Sequence, residues 1–376
     1  MKIAAVVPHV VVQRLEQPFG MSQWLWDVRA SCLVEVVTDD GIVGWGECFG
    51  PAAASRAIID SVFAPMLLGR DPGERVALWE DMYNRSREWG RKGVPIAAMS
   101  GLEIALWDIA GQAAGLPVYR LLGGRADGPV EAYASAFYYG GRYDGDAVAE
   151  AEDLLAEGFR AVKMKAGAGP VAADAERVRR VRAALGPGVQ LAVDANRGFS
   201  PAEAIRFGRA VADCDLWFFE EPVLPEDLAG YREVRAALDV PIAGGESEFT
   251  RWGFRDFLGQ RPVDIVQPDA TACGGLAETL LIAGMASAHG VTTFPHLWGS
   301  AVAIAATLHL MTALPQAVPS LSRGRPVLEL DRAPNVFRDE LSDLVAGPVV
   351  NVSSGPGLGI QVDRALIERY EDRSIA

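Results

Sequence analysis

The sequence predicts an α/β protein whose larger part is a (β/α) barrel, and three observations indicate this fold class. The chain has 376 residues, more than one ordinary domain of about 100–200 residues needs. Half of the residues are hydrophobic, which is enough for a large core. From residue 130 onward, short apolar runs alternate with helical patterns about eight times. Such units imply parallel strands that close into a barrel, and a doubly wound open sheet is the structural alternative.

The first 125 residues predict strands followed by helices. Ile3–Leu15 and Ala30–Thr38 are apolar and rich in β-branched residues, and Ile42–Cys48 returns after an Asp-Asp-Gly turn to complete a hairpin. Helical patterns follow around residues 53–67, 73–87 and 95–114. The last of them is apolar on nearly all sides and is therefore expected to be buried. Glycine and proline residues then punctuate the chain, and we place a domain boundary near residue 125.

The barrel strands are expected at eight apolar runs, most of which end in a polar residue. These runs are Val130–Phe137, Ala161–Lys165, Leu191–Asp194, Leu216–Glu220, Pro241–Glu246, Asp264–Asp269, Val291–His296 and Val327–Leu330. After the last run, the C-terminal residues are expected to return and pack on the first region. The predicted division is therefore 1–125, 126–334 and 335–376.

Composition argues against several classes of partner. The chain has 35 basic and 49 acidic residues, and the resulting net charge of −14 repels nucleic acid and anionic membrane surfaces. No segment reaches the roughly 18 uninterrupted apolar residues that a membrane helix requires. The four cysteines are scattered and form no CxxC motif, which fits a reducing compartment. We therefore expect a soluble cytoplasmic protein with no nucleic-acid or membrane partner.

Six consecutive runs end in ionisable side chains. In chain order these are Lys163 with Lys165, Asp194, Glu220, Glu246, Asp269 and His296. From Lys165 onward they are separated by 23 to 29 residues, the length of one strand–helix unit. Because the carboxyl ends of barrel strands meet at one rim, we expect these side chains to converge there. A single strand-end carboxylate is usually a helix cap or a turn residue, but capping does not explain six in succession.

Three of these residues predict a metal site. Asp194, Glu220 and Glu246 follow apolar segments, so their carboxylates repel one another unless a cation joins them. Oxygen ligands without nearby Cys or His favour Mg²⁺, with Mn²⁺ as an alternative, and disfavour zinc. We therefore predict one Mg²⁺ per subunit at this site. Asn196 is a candidate for contact with substrate or with a metal-bound water, and a plain turn residue is the alternative.

The lysines and one histidine predict acid–base chemistry. Only four of the 35 basic residues are lysines, and Lys163 and Lys165 point to the same face of one strand end. This pair suggests a need for a group that can lose its proton, and a neighbouring ammonium and a metal are expected to lower the lysine pKa. Asp269 and His296 end adjacent units, so the carboxylate is expected to hold one imidazole nitrogen while the other acts as an acid or a base. Lysine and histidine on opposite sides of a metal suggest proton transfer at a carbon next to a carboxylate.

Ten short motifs carry a family resemblance. They are GIVGWGE (41–47), LEIALWDIAG (102–111), KMK (163–165), VDAN (193–196), FFEEP (218–222), AGGE (243–246), VQPD (266–269), CGG (273–275), FPHLWG (294–299) and PGLG (356–359). By these motifs the chain resembles the enolase superfamily, in its mandelate racemase/muconate lactonizing enzyme branch. Within that branch it is most similar to galactarolactone cycloisomerases and acid-sugar dehydratases. The resemblance implies a modified (β/α) barrel with an α+β capping domain formed by the N-terminal region and the C-terminal tail.

The resemblance also implies residue roles. The three carboxylates would bind Mg²⁺, Lys165 would be one base, and Lys163 would neutralise the substrate carboxylate. His296 with Asp269 would be the second base or the acid that assists a leaving group. Glu329 matches a glutamate that hydrogen-bonds the substrate carboxylate.

The family's substrate-specificity loop corresponds here to residues 17–27, and it is expected to cover the barrel mouth. The loop contains Trp24 and Trp26, which are candidates for substrate binding. Aromatic rings can stack on the apolar face of a sugar, and they suit a less polar hydroxy acid as well. The alternative is that both tryptophans pack at the domain interface.

The first functional hypothesis is Mg²⁺-dependent abstraction of the proton α to a carboxylate, followed by β-elimination from a sugar acid or its lactone. The second is racemisation or epimerisation of a 2-hydroxy acid with the same two bases. A carbamylated-lysine enzyme is disfavoured because its groups cluster within a few residues, and a non-catalytic binding barrel is disfavoured because the strand ends retain their ionisable groups. The expected partner is a small carboxylate substrate, and we expect a homo-oligomer.

Overall fold

The computed structural model describes residues 1–126, 128–143, 146–315, 327–344 and 346–372. Its strands form two sheets, a four-stranded antiparallel sheet and a larger sheet built around eight parallel strands. The predicted fold class is confirmed, because the parallel strands follow one another in chain order around a curled sheet with helices between them. Residues 127, 144–145, 316–326, 345 and 373–376, which belong to the predicted barrel and tail ranges, lie outside the described residues.

The N-terminal region contains three strands and five helices. They are β1 (Ile3–Gly20), β2 (Leu25–Thr38), β3 (Val43–Cys48), α1 (Ala52–Ile58), α2 (Ala64–Leu67), α3 (Arg75–Ser86), α4 (Val94–Ala114) and α5 (Val118–Leu121). The three strands pair antiparallel, which confirms the predicted hairpin. The three helical patterns are also confirmed, with a π-helical turn at Ile59–Phe63 joining α1 and α2. We call this region, together with the C-terminal segment that packs on it, the cap.

Helix α4 is the central helix of the cap. It packs closely on β3, because a side chain at Gly44 or Gly46 would collide with the backbone of Ala105 or Gly101. By length and composition alone it is the one described helix that could cross a membrane. However, 83% of its most apolar window is buried inside the protein. The prediction that this helix is buried is therefore confirmed.

The barrel contains eight parallel strands connected by seven described helices. Its elements are β4 (Val130–Ala136), α6 (Ala147–Glu157), β6 (Ala161–Lys165), α7 (Val171–Leu185), β7 (Gln190–Asp194), α8 (Pro201–Ala210), β8 (Leu216–Glu220), α9 (Leu228–Ala237), β9 (Ile242–Gly244), α10 (Thr250–Gly259), β10 (Ile265–Val266), α11 (Leu276–Ala288), β11 (Thr292–Thr293), α12 (Ala301–Met311) and β12 (Leu328–Asp331), with a short β5 (Tyr139–Gly140) after β4. The last strand, β12, pairs parallel with the first, β4. The sheet thus brings the end of the barrel back to its beginning.

Strand alternation decides which side chains face the barrel interior. In β6, Val162 and Met164 pack outward against the helices, whereas Ala161 packs inside with residues from the other strands. Lys163 and Lys165 share the inward face with Ala161, because side chains two apart on a strand point the same way. The aromatic and small residues of the inner cluster fill the barrel below the lysines. The lysines therefore lie at the carboxyl-terminal mouth of the barrel.

The C-terminal segment returns to the cap. It contains α13 (Val336–Asp339), β13 (Val349–Val350) and α14 (Arg364–Tyr370). Strand β13 pairs antiparallel with β4, and beyond α14 the chain reaches β1, where Val11 forms a bridge with Glu371 and the Asp372 N–H donates to the Val10 carbonyl at 2.8 Å. The exact domain boundaries stay a prediction.

The expected loop at residues 17–27 is largely a β-hairpin. Strand β1 continues to Gly20 and β2 begins at Leu25, with Phe19 opposite Trp26 and Gly20 opposite Leu25. The prediction that residues 17–27 form a loop was wrong, because the aromatic and apolar residues of this segment pair with one another across the two strands. Only the turn at residues 21–24 departs from the ladder. Strand β5 also pairs with β1, which fixes this hairpin tip against the barrel.

Candidate active site

The three predicted metal ligands meet at the barrel mouth. Asp194 and Glu220 are the last residues of β7 and β8, and Glu246 follows β9 by two residues. One carboxylate oxygen from each lies within 4.8 Å of the others. Asp194 and Glu220 are completely buried, and Glu246 is partly buried. Neighbouring parallel strands thus bring together residues that are 26 positions apart in the sequence.

The backbone turns sharply where two of these strands end. Asn196, Arg197 and Glu221 have φ angles of +42°, +68° and +39°, which few residues with a side chain adopt. Such conformations persist only where the surroundings enforce them, and they cluster at functional sites. Here the turn lets the Asn196 N–H donate to the Asp194 carboxylate at 2.8 Å, which orients that carboxylate.

Both lysines of the KMK motif bind carboxylates in this cluster. The Lys163 Nζ lies 2.6 Å from Glu220 Oε1 and 2.7 Å from Glu329 Oε1. The Lys165 Nζ lies 2.6 Å from Asp194 Oδ2 and donates to it. Lys163 is 1% exposed and Lys165 is 7% exposed, so both ammonium groups are held in the interior.

The pKa shifts follow from this pairing. Burial lowers the pKa of an amine, but the adjacent carboxylates outweigh it and raise the pKa of both Lys163 and Lys165. The expected lowering of the lysine pKa is therefore not found in this arrangement, because each ammonium meets a carboxylate rather than a cation. Burial, only partly offset by Lys163, raises the pKa of Glu220 to about 8. For Glu220, the positive charge of Lys163 thus favours the ionised form less than burial opposes it.

His296 and Asp269 form a buried pair. The His296 Nδ1 lies 2.7 Å from Asp269 Oδ2, and because a carboxylate accepts, this nitrogen carries the proton. The other Asp269 oxygen accepts from the Thr271 N–H and hydroxyl at 2.7 and 2.6 Å. Burial lowers the pKa of His296, but Glu246 and the bond to Asp269 outweigh it and raise it to about 10. The carboxylate holds one imidazole nitrogen, as expected, and the other lies toward the cluster.

Lysine and histidine approach the carboxylate cluster from different sides. Lys165 contacts Asp194, whereas the His296 Nε2 lies 3.4 Å from Glu246 Oε2. The first contact joins the ends of β6 and β7, and the second joins the segments that follow β9 and β11. The two contacts therefore lie on different parts of the barrel rim. The arrangement can therefore place two proton-transfer groups on two sides of one bound molecule.

Glu329 and Asn196 also lie at the mouth. Besides Lys163, the Glu329 carboxylate accepts from the Tyr133 hydroxyl at 2.9 Å, and Lys163 lowers its pKa despite burial. The Asn196 side-chain oxygen is buried without a hydrogen-bond partner among the described residues. An unsatisfied buried oxygen next to Asp194 suits a ligand or an ordered water.

The two tryptophans occupy different positions on the hairpin tip. Trp24 is 49% exposed and meets Trp26 edge to face at 6.1 Å. Trp26 is partly buried and packs against Phe19 and Trp298, with ring centroids 5.6 and 5.1 Å away. The hairpin reaches the barrel through Ser22, whose hydroxyl donates to the Ala195 carbonyl at 2.8 Å. The turn of the hairpin, rather than either tryptophan, thus contacts the barrel next to Asp194.

Two residues near the cluster were missed by sequence reasoning. The Gln267 side-chain amide donates to Glu220 at 2.5 Å, and its oxygen is buried without a partner among the described residues. Its position two residues before Asp269 on the same strand end was the available signal. Arg197 binds Ser247 at 2.8 Å and lies 3.4 Å from Glu221. Nothing in the sequence pattern singles out Arg197, since 30 other residues of this chain are arginines too.

The donor set fits a divalent cation. Three carboxylates converge, and two of them are met by ammonium groups that partly balance their charge. Asn196 and Gln267, which hydrogen-bond Asp194 and Glu220, each carry a neutral side-chain oxygen that is buried without a partner in the described part of the chain. Hard oxygen ligands of this kind are those that Mg²⁺ prefers.

Comparison with known protein families identifies both regions of the chain. The sequence profile described as mandelate racemase/muconate lactonizing enzyme, N-terminal domain, matches residues 2–123, and the profile described as enolase C-terminal domain-like matches residues 146–366.

Three similar proteins cover nearly the whole chain. A D-galactarolactone cycloisomerase of Agrobacterium fabrum is 41% identical and is aligned over 98% of this chain and 99% of its own length. The crystal structure of a 3,6-anhydro-D-galactonate cycloisomerase from Zobellia galactanivorans is 38% identical, with a TM-score of 0.90 over 99% of this chain and 100% of that one. A racemase from Streptomyces coelicolor, solved with bound magnesium, is 27% identical, with a TM-score of 0.87 over 98% and 100%. The chain belongs to the mandelate racemase/muconate lactonizing enzyme family of the enolase superfamily.

Proposed function

We propose that this protein is a Mg²⁺-dependent enzyme that removes the proton α to a carboxylate and then eliminates the β-oxygen of a sugar acid or its lactone. One observation carries the proposal, namely three converging carboxylates approached by Lys165 on one side and by His296 on the other. Proton abstraction next to a carboxylate needs a base, an acid and compensation for the charge that develops. The site offers groups for all three.

Asp194, Glu220 and Glu246 would hold one Mg²⁺ per subunit, with Mn²⁺ as an alternative. When bound, the metal supplies positive charge that stabilises the doubly charged enediolate. Lys163 supplies a fixed positive charge that would neutralise the substrate carboxylate. Its second partner, Glu329, would hydrogen-bond that carboxylate only in its protonated form, because an ionised carboxylate has no proton to donate.

Lys165 is assigned as the base. Its Nζ is buried at the mouth and has one carboxylate partner, whereas Lys163 is held by two. Lys165 must lose a proton before it can accept the α-proton, and its pairing with Asp194 opposes this loss by raising its pKa. The Lys165–Asp194 contact would therefore have to be broken in the reacting state. Asn196, with its unpaired side-chain oxygen, would contact the substrate.

His296 is assigned as the acid for the departing oxygen. Its Nδ1–H is fixed by Asp269, so the Nε2 is the nitrogen that faces the cluster and carries the transferable proton. A raised pKa keeps this imidazole protonated near neutrality, which suits proton donation.

The leaving oxygen decides between two products. If a ring oxygen departs, the lactone opens and the reaction is an isomerisation without release of water. If a hydroxyl departs, one water is released and the reaction is a dehydration. Two similar proteins, including the one that is 41% identical, are named as cycloisomerases of sugar-derived acids, which favours ring opening.

Racemisation of a 2-hydroxy acid is the alternative, favoured by the presence of two proton-transfer groups and by the similarity to a racemase with bound magnesium. Reaction in D₂O separates the two. Elimination gives an α-keto acid product. Deuterium in recovered substrate at both epimers without any α-keto acid would overturn elimination in favour of racemisation.

The test is a screen of acid sugars and their lactones for α-keto acid release, with and without Mg²⁺. We expect Lys165→Met to lower turnover by about 10²–10⁴-fold, because the base is lost. Lys2→Met is the matched control, since Lys2 is an exposed lysine at the N-terminus, and it should retain wild-type activity. Equal activity of both variants would refute the assignment of the base.

A further inference from the structure

The end of β3, residues 47–49 in the cap, reaches across to the barrel loop that follows His296. The Glu47 carboxylate is 3% exposed and accepts hydrogen bonds from the Ser300 N–H at 3.0 and 3.1 Å and from the Ser300 hydroxyl at 2.5 Å. It also accepts from the Ala303 N–H at 3.2 Å. A carboxylate of the cap therefore occupies the N-terminus of the barrel helix α12.

This contact lies close to the candidate acid. Ser300 is the N-cap of α12 and comes four residues after His296 in the chain. Between them, Gly299 leaves room for the carboxylate, because a Cβ there would lie 3.1 Å from Glu47 Oε1 and 2.6 Å from the Ala303 side chain. The segment from 296 to 300 thus lies in close contact with both the start of α12 and the end of β3.

Phe49 contacts the same pair from a second direction. Its N–H donates to the Thr271 carbonyl at 3.0 Å, and Thr271 is the residue that hydrogen-bonds Asp269. Its ring meets the His296 ring edge to face, with centroids 5.6 Å apart and planes at 87°. Residues 47–49 of the cap therefore make three contacts near the pair. Glu47 binds Ser300 at the end of the 296–300 segment, and Phe49 contacts both the His296 ring and Thr271, which hydrogen-bonds Asp269.

We propose that Glu47 and Phe49 are positioning residues that set the geometry of the His296–Asp269 pair. The pair needs such support, because β10 and β11, which precede these two residues, contain only two residues each. Strands this short fix the following loops weakly, so contacts with the cap determine where the imidazole points. This inference rests on the proposed function, in which His296 protonates the leaving oxygen.

A purely structural role for Glu47 is the competing explanation, and the molecule contains a matched control. Glu103 is a second buried cap carboxylate at the start of a barrel helix. It accepts from the Leu276 and Ala277 N–H groups of α11 at 2.7 and 3.1 Å and from Trp107 at 2.6 Å. Glu103→Gln changes the same chemical group at the same interface, but its partners are not those of the His296–Asp269 pair.

The first measurement is the ratio of α-deuterium exchange in recovered substrate to product formation, in one D₂O sample. Exchange requires only the base, whereas product also requires the acid. This ratio does not depend on the amount of folded enzyme. We expect Glu47→Gln to raise it about tenfold or more, because small misplacement of a catalytic group costs about that much. Glu103→Gln should leave the ratio at the wild-type value.

The second measurement needs no substrate. The chain has only four histidines, so the imidazole spectrum of ¹⁵N-histidine-labelled protein is simple, and His296→Asn assigns the Nδ1–H resonance. We expect this resonance to broaden in Glu47→Gln and in Phe49→Leu, because a loosened Nδ1–H···Asp269 bond lets the proton exchange faster with water, and to stay sharp in Glu103→Gln. A change of position alone in Phe49→Leu carries no weight, because loss of the Phe49 ring changes the ring-current shift at His296 by itself. Phe49→Leu serves as the second variant if Glu47→Gln does not fold.

The outcomes are distinguishable. A resonance that stays as sharp as in the wild type in both Glu47→Gln and Phe49→Leu would overturn the inference, as would an unchanged exchange ratio in an active Glu47→Gln enzyme. If the resonance broadens in Glu47→Gln but the wild-type protein releases no α-keto acid from any acid sugar or lactone, the positioning role would be supported and the proposed function overturned.

Discussion

The Glu220 carboxylate has two hydrogen-bond donors among the described residues, and its environment shows what a bound cation would change. Lys163 donates to one of its oxygens and Gln267 to the other, yet burial still raises its pKa to about 8. Asp194 differs, because its pairing with Lys165 and Lys163 lowers its pKa in spite of burial. The chain's own positive charges thus favour the ionised form of Asp194 more than that of Glu220. A divalent cation would therefore stabilise the ionised form of Glu220 most.

We therefore expect Mg²⁺ to stabilise the folded protein. At about 100 times its dissociation constant, a ligand specific to the folded state adds about 2.7 kcal/mol to the free energy of unfolding. Thermal unfolding with and without Mg²⁺ should show a rise in Tm for the wild type and little or none for Glu220→Gln. Glu176→Gln, at a side chain on α7 that is 65% exposed, should respond as the wild type does. A full response of Glu220→Gln would exclude Glu220 as a ligand.

At the scale of elements, the hairpin tip between β1 and β2 is where the sequence-based expectation and the structure differ most. The pairing of Phe19 with Trp26 makes the segment a strand extension, and only residues 21–24 turn. The two tryptophans therefore cannot be equivalent. Trp26 packs against Trp298, Trp298 packs against Phe49, and Phe49 packs against His296. Trp24, by contrast, is at the exposed tip of the hairpin.

We expect Trp26→Ala to raise KM more than Trp24→Ala does, because only Trp26 is packed into the aromatic chain that leads to the site. Steady-state kinetics on the substrate identified by the screen would measure this difference. The reverse order would mean that the exposed ring of Trp24 closes on the substrate and that Trp26 serves packing alone.

The strand ends were predictable and their partners were not. Lys165, Asp194, Glu220 and His296 were identifiable because each follows an apolar run at a regular interval, and regular spacing on a barrel implies a shared rim. The pairing of Lys165 with Asp194 could not be predicted, because the spacing of residues in the sequence does not give the distances between side chains on neighbouring strands. The direction of the Lys165 pKa shift depends on this pairing and was therefore not predictable either.

At the scale of the whole molecule, buried cap carboxylates join the cap to the barrel, and one of them gives the interface a pH dependence. Burial, opposed by hydrogen bonds from α11 and Trp107, raises the pKa of Glu103 to about 7 from its ordinary 4.5. The folded state therefore holds a proton that the unfolded state releases between these values. The stability that Glu103 contributes is greatest below pH 4.5, falls as the pH rises, and is lost above about pH 7.

We expect Glu103→Gln to remove this dependence. Wild-type Tm should fall more steeply than the variant's Tm between pH 5 and pH 8, and thermal unfolding at both values measures the difference. Glu203→Gln is the control, because that carboxylate is solvent-exposed in the capping box of α8. A Tm difference between wild type and Glu103→Gln that is the same at both pH values would contradict the shift.

The meeting of the chain ends in the cap has a consequence for how the protein is made. His9 on β1 lies 3.4 Å from Glu371, 362 positions later in the chain. Contacts this remote in sequence form late, because loop closure must precede them. The cap is therefore expected to be completed late in folding, because its C-terminal segment joins β1 across a separation of 362 positions.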